Sequence, residues 1–103
     1  MKLLFVDDSP TVCAIYSALL KDAGYEVLIA NNKSEALELA QQHLPKMAII
    51  DFFMPNGNGD ELTQELLSNP LTSSTVVAIH SQFPDVVEKA LAAGAVEMIG
   101  KDD

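Results

Sequence analysis

Residues 5–10 read FVDDSP: an apolar run, Leu3–Val6, ends in two adjacent carboxylates, Asp7 and Asp8, and a serine and a proline follow. A short run without polar alternation is typical of a strand that is buried on both faces. Ser9 suits the N-cap of a helix, and Pro10 suits its first position. The stretch predicts a buried strand, two acids at its carboxyl end, and a helix that begins at once.

The same order of strand, turn and helix recurs along the chain. The predicted strands are Leu3–Val6, Val27–Ala30, Met47–Ile50, Thr75–Ile79 and Ala95–Ile99. Helices between successive strands make the strands parallel, with right-handed crossovers. We therefore expect an α/β fold, a doubly wound open sheet of five strands, in one domain that spans residues 1–103.

The predicted helices are marked by caps and by apolar residues at helical spacing. The first carries Val12, Ile15, Leu19 and Leu20 and closes at Gly24; in the second, Asn32 and Glu35 have capping-box spacing. The last runs from Pro84 to Gly94, and its apolar residues Val86 and Leu91 are predicted to lie in the core.

Composition excludes several functional classes. The formal net charge is −9 with only 6 Lys and Arg residues, so a direct nucleic-acid surface is not expected. Cys13 is the only cysteine, which excludes an internal disulfide and suits a reducing compartment. No apolar run is long enough for a signal-peptide core or a membrane span, so we expect a cytoplasmic protein without membrane contact.

Acidic residues follow two of the predicted strands. Asp7 and Asp8 end the first strand, and Asp51 ends the third. Parallel strands present their carboxyl ends at one edge, where ligands of such sheets bind, so the three side chains are expected to converge. Their mutual repulsion would favour a divalent cation, and oxygen-only ligands suit Mg²⁺, or Mn²⁺, better than zinc. Alternatively, Asp7 and Asp8 only lead into the helix, where acids favour its dipole.

Four segments together resemble the receiver domain of two-component response regulators. They are FVDDSP, AGYEV at residues 23–27, the loop DFFMPNGNG at 51–59, and GAVEMIGK at 94–101. The loop matches the family pattern D-x-x-M-P-x-x-x-G, and the resemblance covers essentially the whole chain. It implies a flavodoxin-like sheet with strand order 2-1-3-4-5.

The resemblance also implies a mechanism. Asp51 would accept a phosphoryl group from a sensor histidine kinase or a phosphotransfer protein. Asp8, Asp51 and the Phe53 backbone carbonyl would bind Mg²⁺, Asp7 would hold a metal-bound water, and Lys101 would pair with phosphoryl oxygens. Such a domain would phosphorylate itself and hydrolyse the product slowly, without turning over a metabolite.

Three departures from the family pattern affect how phosphorylation would change an output surface of the domain. The family's hydroxyl position at the end of the fourth strand falls on His80 or Ser81. The family's aromatic position on the fifth strand is Met98, which has no ring. The family's fifth helix, after Lys101, is missing from this sequence. We expect a second copy, a downstream output domain or another partner to cover the exposed strip, and the domain to be truncated at its C-terminal end.

Two other functions are carried as alternatives. A phosphorylation-independent pseudo-receiver would signal by protein contact alone, which the residues at positions 80 and 98 favour. A Mg²⁺-dependent phosphohydrolase with an aspartyl intermediate generally needs an acid two residues after the nucleophile, where this chain has Phe53.

Overall fold

The computed structural model describes residues 1–55 and 57–100. Strands and helices alternate along the chain: β1 (Lys2–Val6), α1 (Pro10–Asp22), β2 (Glu26–Ala30), α2 (Lys33–His43), β3 (Met47–Asp51), α3 (Gly59–Ser68), β4 (Val76–Ser81), α4 (Val87–Ala93) and β5 (Glu97–Gly100). A 3-10 turn, Pro84–Val86, leads into α4. All strand pairs are parallel, in the order β2-β1-β3-β4-β5, so the predicted fold and strand order are confirmed.

The predicted helix caps form, except that one hydrogen bond of the predicted capping box is made to the residue before the N-cap. The Ser9 hydroxyl accepts a hydrogen bond from the Val12 amide at 3.3 Å, and Pro10 is the first residue of α1. The Asn32 side chain accepts from the Glu35 amide at 2.9 Å. The Glu35 carboxylate accepts in return from the amide of Asn31, at 2.8 Å, one residue before the N-cap. Glu35 therefore also fixes the turn that leaves β2.

The last two strands differ from their predicted bounds. β4 extends through His80 and Ser81, because these residues pair with Asp51 of β3 and Gly100 of β5 respectively. β5 begins at Glu97 and not at Ala95, since the Ala95 amide donates to the Ala90 carbonyl and so belongs to the end of α4. The longer β4 brings two polar side chains into the buried part of the sheet.

The two faces of the sheet have different cores. The face covered by α2, α3 and α4, here called the aliphatic face, is built from Leu4, Val6, Ala36, Ala48, Ile50, Leu62, Leu66, Ile79 and Ala90 with their neighbours. The face under α1, here called the aromatic face, contains Leu3, Phe5 and Cys13, with Tyr16 packed against them. The His80 ring also lies on this face, in contact with Phe5 and Tyr16.

Three apolar helix residues are not core residues. Val86 is buried as predicted, but Leu91 is 49% exposed, and the prediction for it was wrong. On α1, Ile15 and Leu19 are 54% and 59% exposed, because the helix rests on the sheet through Val12, Cys13, Tyr16 and Leu20.

None of the helices in the described part of the chain has the length and apolarity that crossing a bilayer requires.

Candidate functional site

Three carboxylates converge at the carboxyl edge of the sheet. Asp7 follows β1, Asp8 follows Asp7, and Asp51 is the last residue of β3. One oxygen from each lies within 4.8 Å of the others. Asp7 and Asp51 are buried, whereas Asp8 is exposed. β1 and β3 are neighbours in the sheet, so their carboxyl ends necessarily bring these residues together. The predicted convergence is therefore observed.

Hydrogen bonds to its amide, its carbonyl and its carboxylate fix the position of Asp7. Its amide donates to the Ala30 carbonyl at the end of β2, at 3.1 Å. Its carbonyl accepts from the Asn31 side-chain amide at 3.1 Å and from the Cys13 thiol at 3.3 Å. Its carboxylate accepts from the Ser9 amide at 2.9 Å, which turns the side chain back toward the start of α1. Residues from β2 and α1 thus hold this carboxylate in place.

Asp51 is held from behind by the start of α3. The Gly59 amide donates to the Phe52 carbonyl at 2.7 Å. A Cβ at position 59 would lie 2.5 Å from the Asp51 carbonyl oxygen and 3.0 Å from the Phe52 Cα. Only glycine permits this close approach of two backbones. The glycine that ends the DFFMPNGNG loop therefore fixes α3 directly against the acidic residue.

The site has a negative electrostatic potential, and the Cys13 thiol responds to it. Burial raises the pKa of Cys13 above its usual value, and the charge of Asp7 raises it further. A hard divalent cation takes carboxylate oxygens at distances of about 2.0–2.6 Å, so oxygens that lie this close together can be bridged by one ion. The donor set, three carboxylates without a sulfur ligand, fits Mg²⁺ or Mn²⁺.

His80 and Ser81 point to opposite faces of the sheet. His80 is the register partner of Asp51, and side chains of parallel register partners share a face. Its ring contacts Phe5 and Tyr16 on the aromatic face. Ser81, next along the strand, points the other way, and its hydroxyl accepts a hydrogen bond from the Phe83 amide at 3.0 Å. Of the two candidates, His80 therefore shares the face of Asp51.

Comparison with known proteins establishes the family. The family model of the response regulator receiver domain matches residues 3–103. The chain belongs to the response regulator receiver domain family. Its biological setting is accordingly two-component signalling, and a receiver domain is a regulatory element, not a conventional enzyme.

Two curated proteins and one solved structure illustrate what this receiver domain is similar to. Protein PilH of Pseudomonas aeruginosa is 37% identical over 78 residues, which are 76% of this chain and 64% of PilH. The transcriptional regulatory protein PdtaR of Mycobacterium tuberculosis is 32% identical over 97% of this chain and 49% of PdtaR. The chain thus spans about half to two thirds of these relatives. The chemotaxis response regulator CheY4 of Vibrio cholerae superposes with a TM-score of 0.92 at 31% identity, covering 99% of this chain and 87% of CheY4.

The structure describes two of the three remaining residues that were singled out in the sequence, Phe53 and Met98, but not Lys101. Phe53 lies two residues past Asp51; its side chain is 47% exposed and packs edge-on against Phe83, with ring centroids 5.3 Å apart. The role of its carbonyl stays a prediction. Lys101 lies outside the described residues. Met98 packs against the aliphatic face, opposite to the His80 ring.

Two residues at the site were not predicted from the sequence. Asn31 binds the Asp7 carbonyl, and it could have been found, because it is a polar residue directly after a strand, as Asp7 and Asp51 are. Tyr16 contacts His80, and this contact joins residues far apart in the sequence. No local pattern indicates such a contact.

Proposed function

We propose that this receiver domain accepts a phosphoryl group on Asp51 in a Mg²⁺-dependent reaction. The observation that supports the proposal is the cluster of Asp7, Asp8 and Asp51, with carboxylate oxygens within 4.8 Å of one another at the end of the sheet. Two charges about 4 Å apart repel by roughly 4 kcal/mol at an effective dielectric constant near 20. Such repulsion is a large fraction of the roughly 5–15 kcal/mol by which a domain is stable, so the cluster indicates a binding site.

Asp51 is the nucleophile in this proposal. A carboxylate oxygen attacks the phosphorus of a phosphohistidine, the P–N bond breaks, and the donor leaves as neutral imidazole because its other ring nitrogen carries a proton. Mg²⁺ held by Asp8 and Asp51, with Asp7 on a metal-bound water, would offset the negative charge on the phosphoryl oxygens. Water later cleaves the acyl phosphate to restore the carboxylate and release inorganic phosphate.

Neighbouring residues would orient and stabilise the phosphoryl group. His80 lies on the Asp51 face, so in this proposal a ring N–H would donate to a phosphoryl oxygen, the role that a hydroxyl has in the family. Ser81 serves instead to fix the backbone at Phe83. Lys101 would supply the second positive charge, and the Phe53 carbonyl a further metal ligand, as the family resemblance implies.

The partners in this proposal are a sensor histidine kinase or a phosphotransfer protein as donor, and an output element as receiver of the signal. The curated relatives are longer than the matched region, and PdtaR is a transcriptional regulatory protein. An output domain joined to this receiver, or a second copy of it, would therefore be the recipient. The acidic surface of the chain does not favour direct binding to nucleic acid.

Intact-mass measurement with acetyl phosphate tests the proposal. Wild type, Asp51→Asn and the control Asp22→Asn, an exposed acid at the end of α1, are incubated with acetyl phosphate with and without Mg²⁺. A single phosphoryl adduct is expected on wild type and Asp22→Asn, only with the metal, and none on Asp51→Asn.

Each other outcome contradicts the proposal in a distinct way. No adduct on folded wild type would favour the pseudo-receiver, which binds partners without phosphorylation. An adduct that persists in Asp51→Asn would place the acceptor elsewhere. Rapid multiple turnover of a small phosphate ester would favour the phosphohydrolase.

A further inference from the structure

Tyr16 bridges the two strands on either side of β3. Its ring stacks on Phe5 of β1, with centroids 5.1 Å apart and an interplanar angle of 15°. The same ring meets His80 of β4 edge-on, with centroids 4.9 Å apart and an angle of 72°. The sheet order places β3 between β1 and β4, and β3 ends at Asp51. The α1 side chain therefore spans the sheet next to the proposed phosphorylation site.

The ring contacts leave His80 little freedom. His80 is 1% exposed, and its ring packs against both Phe5, at a centroid distance of 6.1 Å, and Tyr16. Edge-to-face aromatic contacts contribute about 0.5–1.5 kcal/mol beyond the area that they bury. Replacing Tyr16 with a side chain that lacks a ring would therefore allow the imidazole to rotate away from the orientation that the two ring contacts fix.

We infer that Tyr16 is a positioning residue for phosphorylation: it holds the His80 ring toward Asp51 and thereby links the state of Asp51 to helix α1. The inference rests on the proposed function. A ring N–H of His80 donates to a phosphoryl oxygen, and Tyr16 keeps the ring oriented for that bond. The position on the fifth strand cannot do this, because Met98 packs on the opposite face.

The contact also acts in the reverse direction. Coupling between two positions is reciprocal, so a change in the orientation of His80 on phosphorylation changes the environment of Tyr16. Tyr16 is half-buried, and Leu19, three residues further along α1, is 59% exposed. Neighbours at this spacing share a helix face. Phosphorylation at Asp51 is thereby sensed at the surface of α1.

Adduct lifetime in the full chain tests the positioning role. Wild type, Tyr16→Leu, Tyr16→Phe, His80→Ala and the double variant are phosphorylated with acetyl phosphate and Mg²⁺, the donor is removed, and loss of the adduct is followed by intact mass. Tyr25→Leu is the matched control, since Tyr25 packs against the same apolar cluster but takes part in none of the ring contacts found in residues 1–55 and 57–100.

Loss of the ring is expected to shorten the adduct lifetime by about three- to tenfold in Tyr16→Leu, as for a weakened hydrogen bond to a charged group. Tyr16→Phe keeps the ring and restores the wild-type lifetime, and Tyr25→Leu keeps it as well. In the His80→Ala background the Tyr16→Leu change has no further effect, because the two residues act as one unit. Amide NMR signals of Leu19 shift on phosphorylation of wild type and not of Tyr16→Leu.

The opposite results overturn the inference. Equal lifetimes in wild type and Tyr16→Leu, an effect in Tyr25→Leu of the same size, or additive effects in the double variant would show that Tyr16 only stabilises the fold. Unchanged Leu19 signals in phosphorylated wild type would remove the link to α1. Absence of any adduct on wild type would instead refute the proposed function, and the inference with it.

Discussion

The aliphatic face and the aromatic face of the sheet have the same backbone pattern but different side chains. Under α2, α3 and α4, branched aliphatic residues and alanines fill the space between helix and sheet. Under α1, Phe5, Tyr16 and His80 form a set of rings in mutual contact. Asp51 lies on the aromatic face, since it shares the face of its register partner His80.

We expect the aliphatic face to stabilise the domain and the aromatic face to respond to phosphorylation. Close-packed aliphatic side chains stabilise the domain through buried area and packing, and they have no polar group that could sense a phosphoryl group. On the aromatic face the ring of His80, the register partner of Asp51, contacts helix α1, which carries two exposed large apolar side chains, Ile15 and Leu19. The predictions below test this division, beginning with the largest expected change in stability.

Truncation of one leucine on each side of the sheet should give very different losses. Leu62 on α3 is 0% exposed, so Leu62→Ala should lower the free energy of unfolding by about 2–5 kcal/mol, through lost burial and a cavity. Leu19→Ala on α1, where the side chain is largely exposed, should change it by about 0.5 kcal/mol or less. Urea denaturation measures both; equal losses would mean that both faces contribute equally to stability.

Removal of charge from the acidic site should raise stability. Asp51→Asn takes one carboxylate out of a cluster in which oxygens lie within 4.8 Å of one another. Without divalent cations, the free energy of unfolding should rise by about 1–4 kcal/mol. This range is the repulsion of two charges about 4 Å apart at effective dielectric constants between about 80, as in water, and about 20, as near a protein surface. Mg²⁺ should stabilise wild type more than the variant. Thermal unfolding with EDTA or Mg²⁺ checks this, and a less stable variant would argue against repulsion in the cluster.

A methyl group at position 59 should disturb the site from the aliphatic face. The Cβ of Gly59→Ala would lie 2.5 Å from the Asp51 carbonyl oxygen, so α3 must shift, at a cost of about 1–3 kcal/mol. The phosphorylation yield should fall with it, because Asp51 is displaced. Gln64→Ala, at an exposed position on the same helix, is the control. If Gly59→Ala matched this control in stability and yield, the close approach would not matter.

The Cys13 thiol should give a small effect of pH on stability. Its pKa in the folded protein is raised, by burial first and then by the charge of Asp7, above the ordinary thiol value of 9.0. The folded state therefore keeps its proton more tightly than the unfolded state does. This stabilisation is fully present below pH 9 and is lost as pH rises toward the folded pKa. Wild type should lose stability above pH 9 more steeply than Cys13→Ala; parallel profiles between pH 7 and 10 would contradict this.

Much of the architecture follows from local patterns in the sequence. Uninterrupted apolar runs such as Leu3–Val6 form the buried strands, and caps such as Ser9 and Asn32 begin the helices where expected. The acids at the ends of β1 and β3 converge because parallel strands in one sheet must bring their carboxyl ends together. These features depend on nearest neighbours along the chain and on one general rule of sheet geometry.

Helical spacing did not determine which apolar residues are buried. Ile15, Leu19 and Leu91 fit a helical pattern, yet all three are about half exposed. Spacing defines a helix face, but the direction from which the helix meets the sheet decides how much of that face is covered. The choice between His80 and Ser81 was likewise open, because it depends on the register of β4 against β3.

The amino-acid sequence alone determined the alternation of strands and helices, the strand order through its family pattern, and the position of Asp7, Asp8 and Asp51 at one edge. Only the tertiary structure decided that Tyr16 reaches across the sheet to His80 and that Met98 faces the other way. The physical reason is that strand and helix patterns arise from local backbone preferences, whereas contacts between side chains of distant elements depend on how those elements pack.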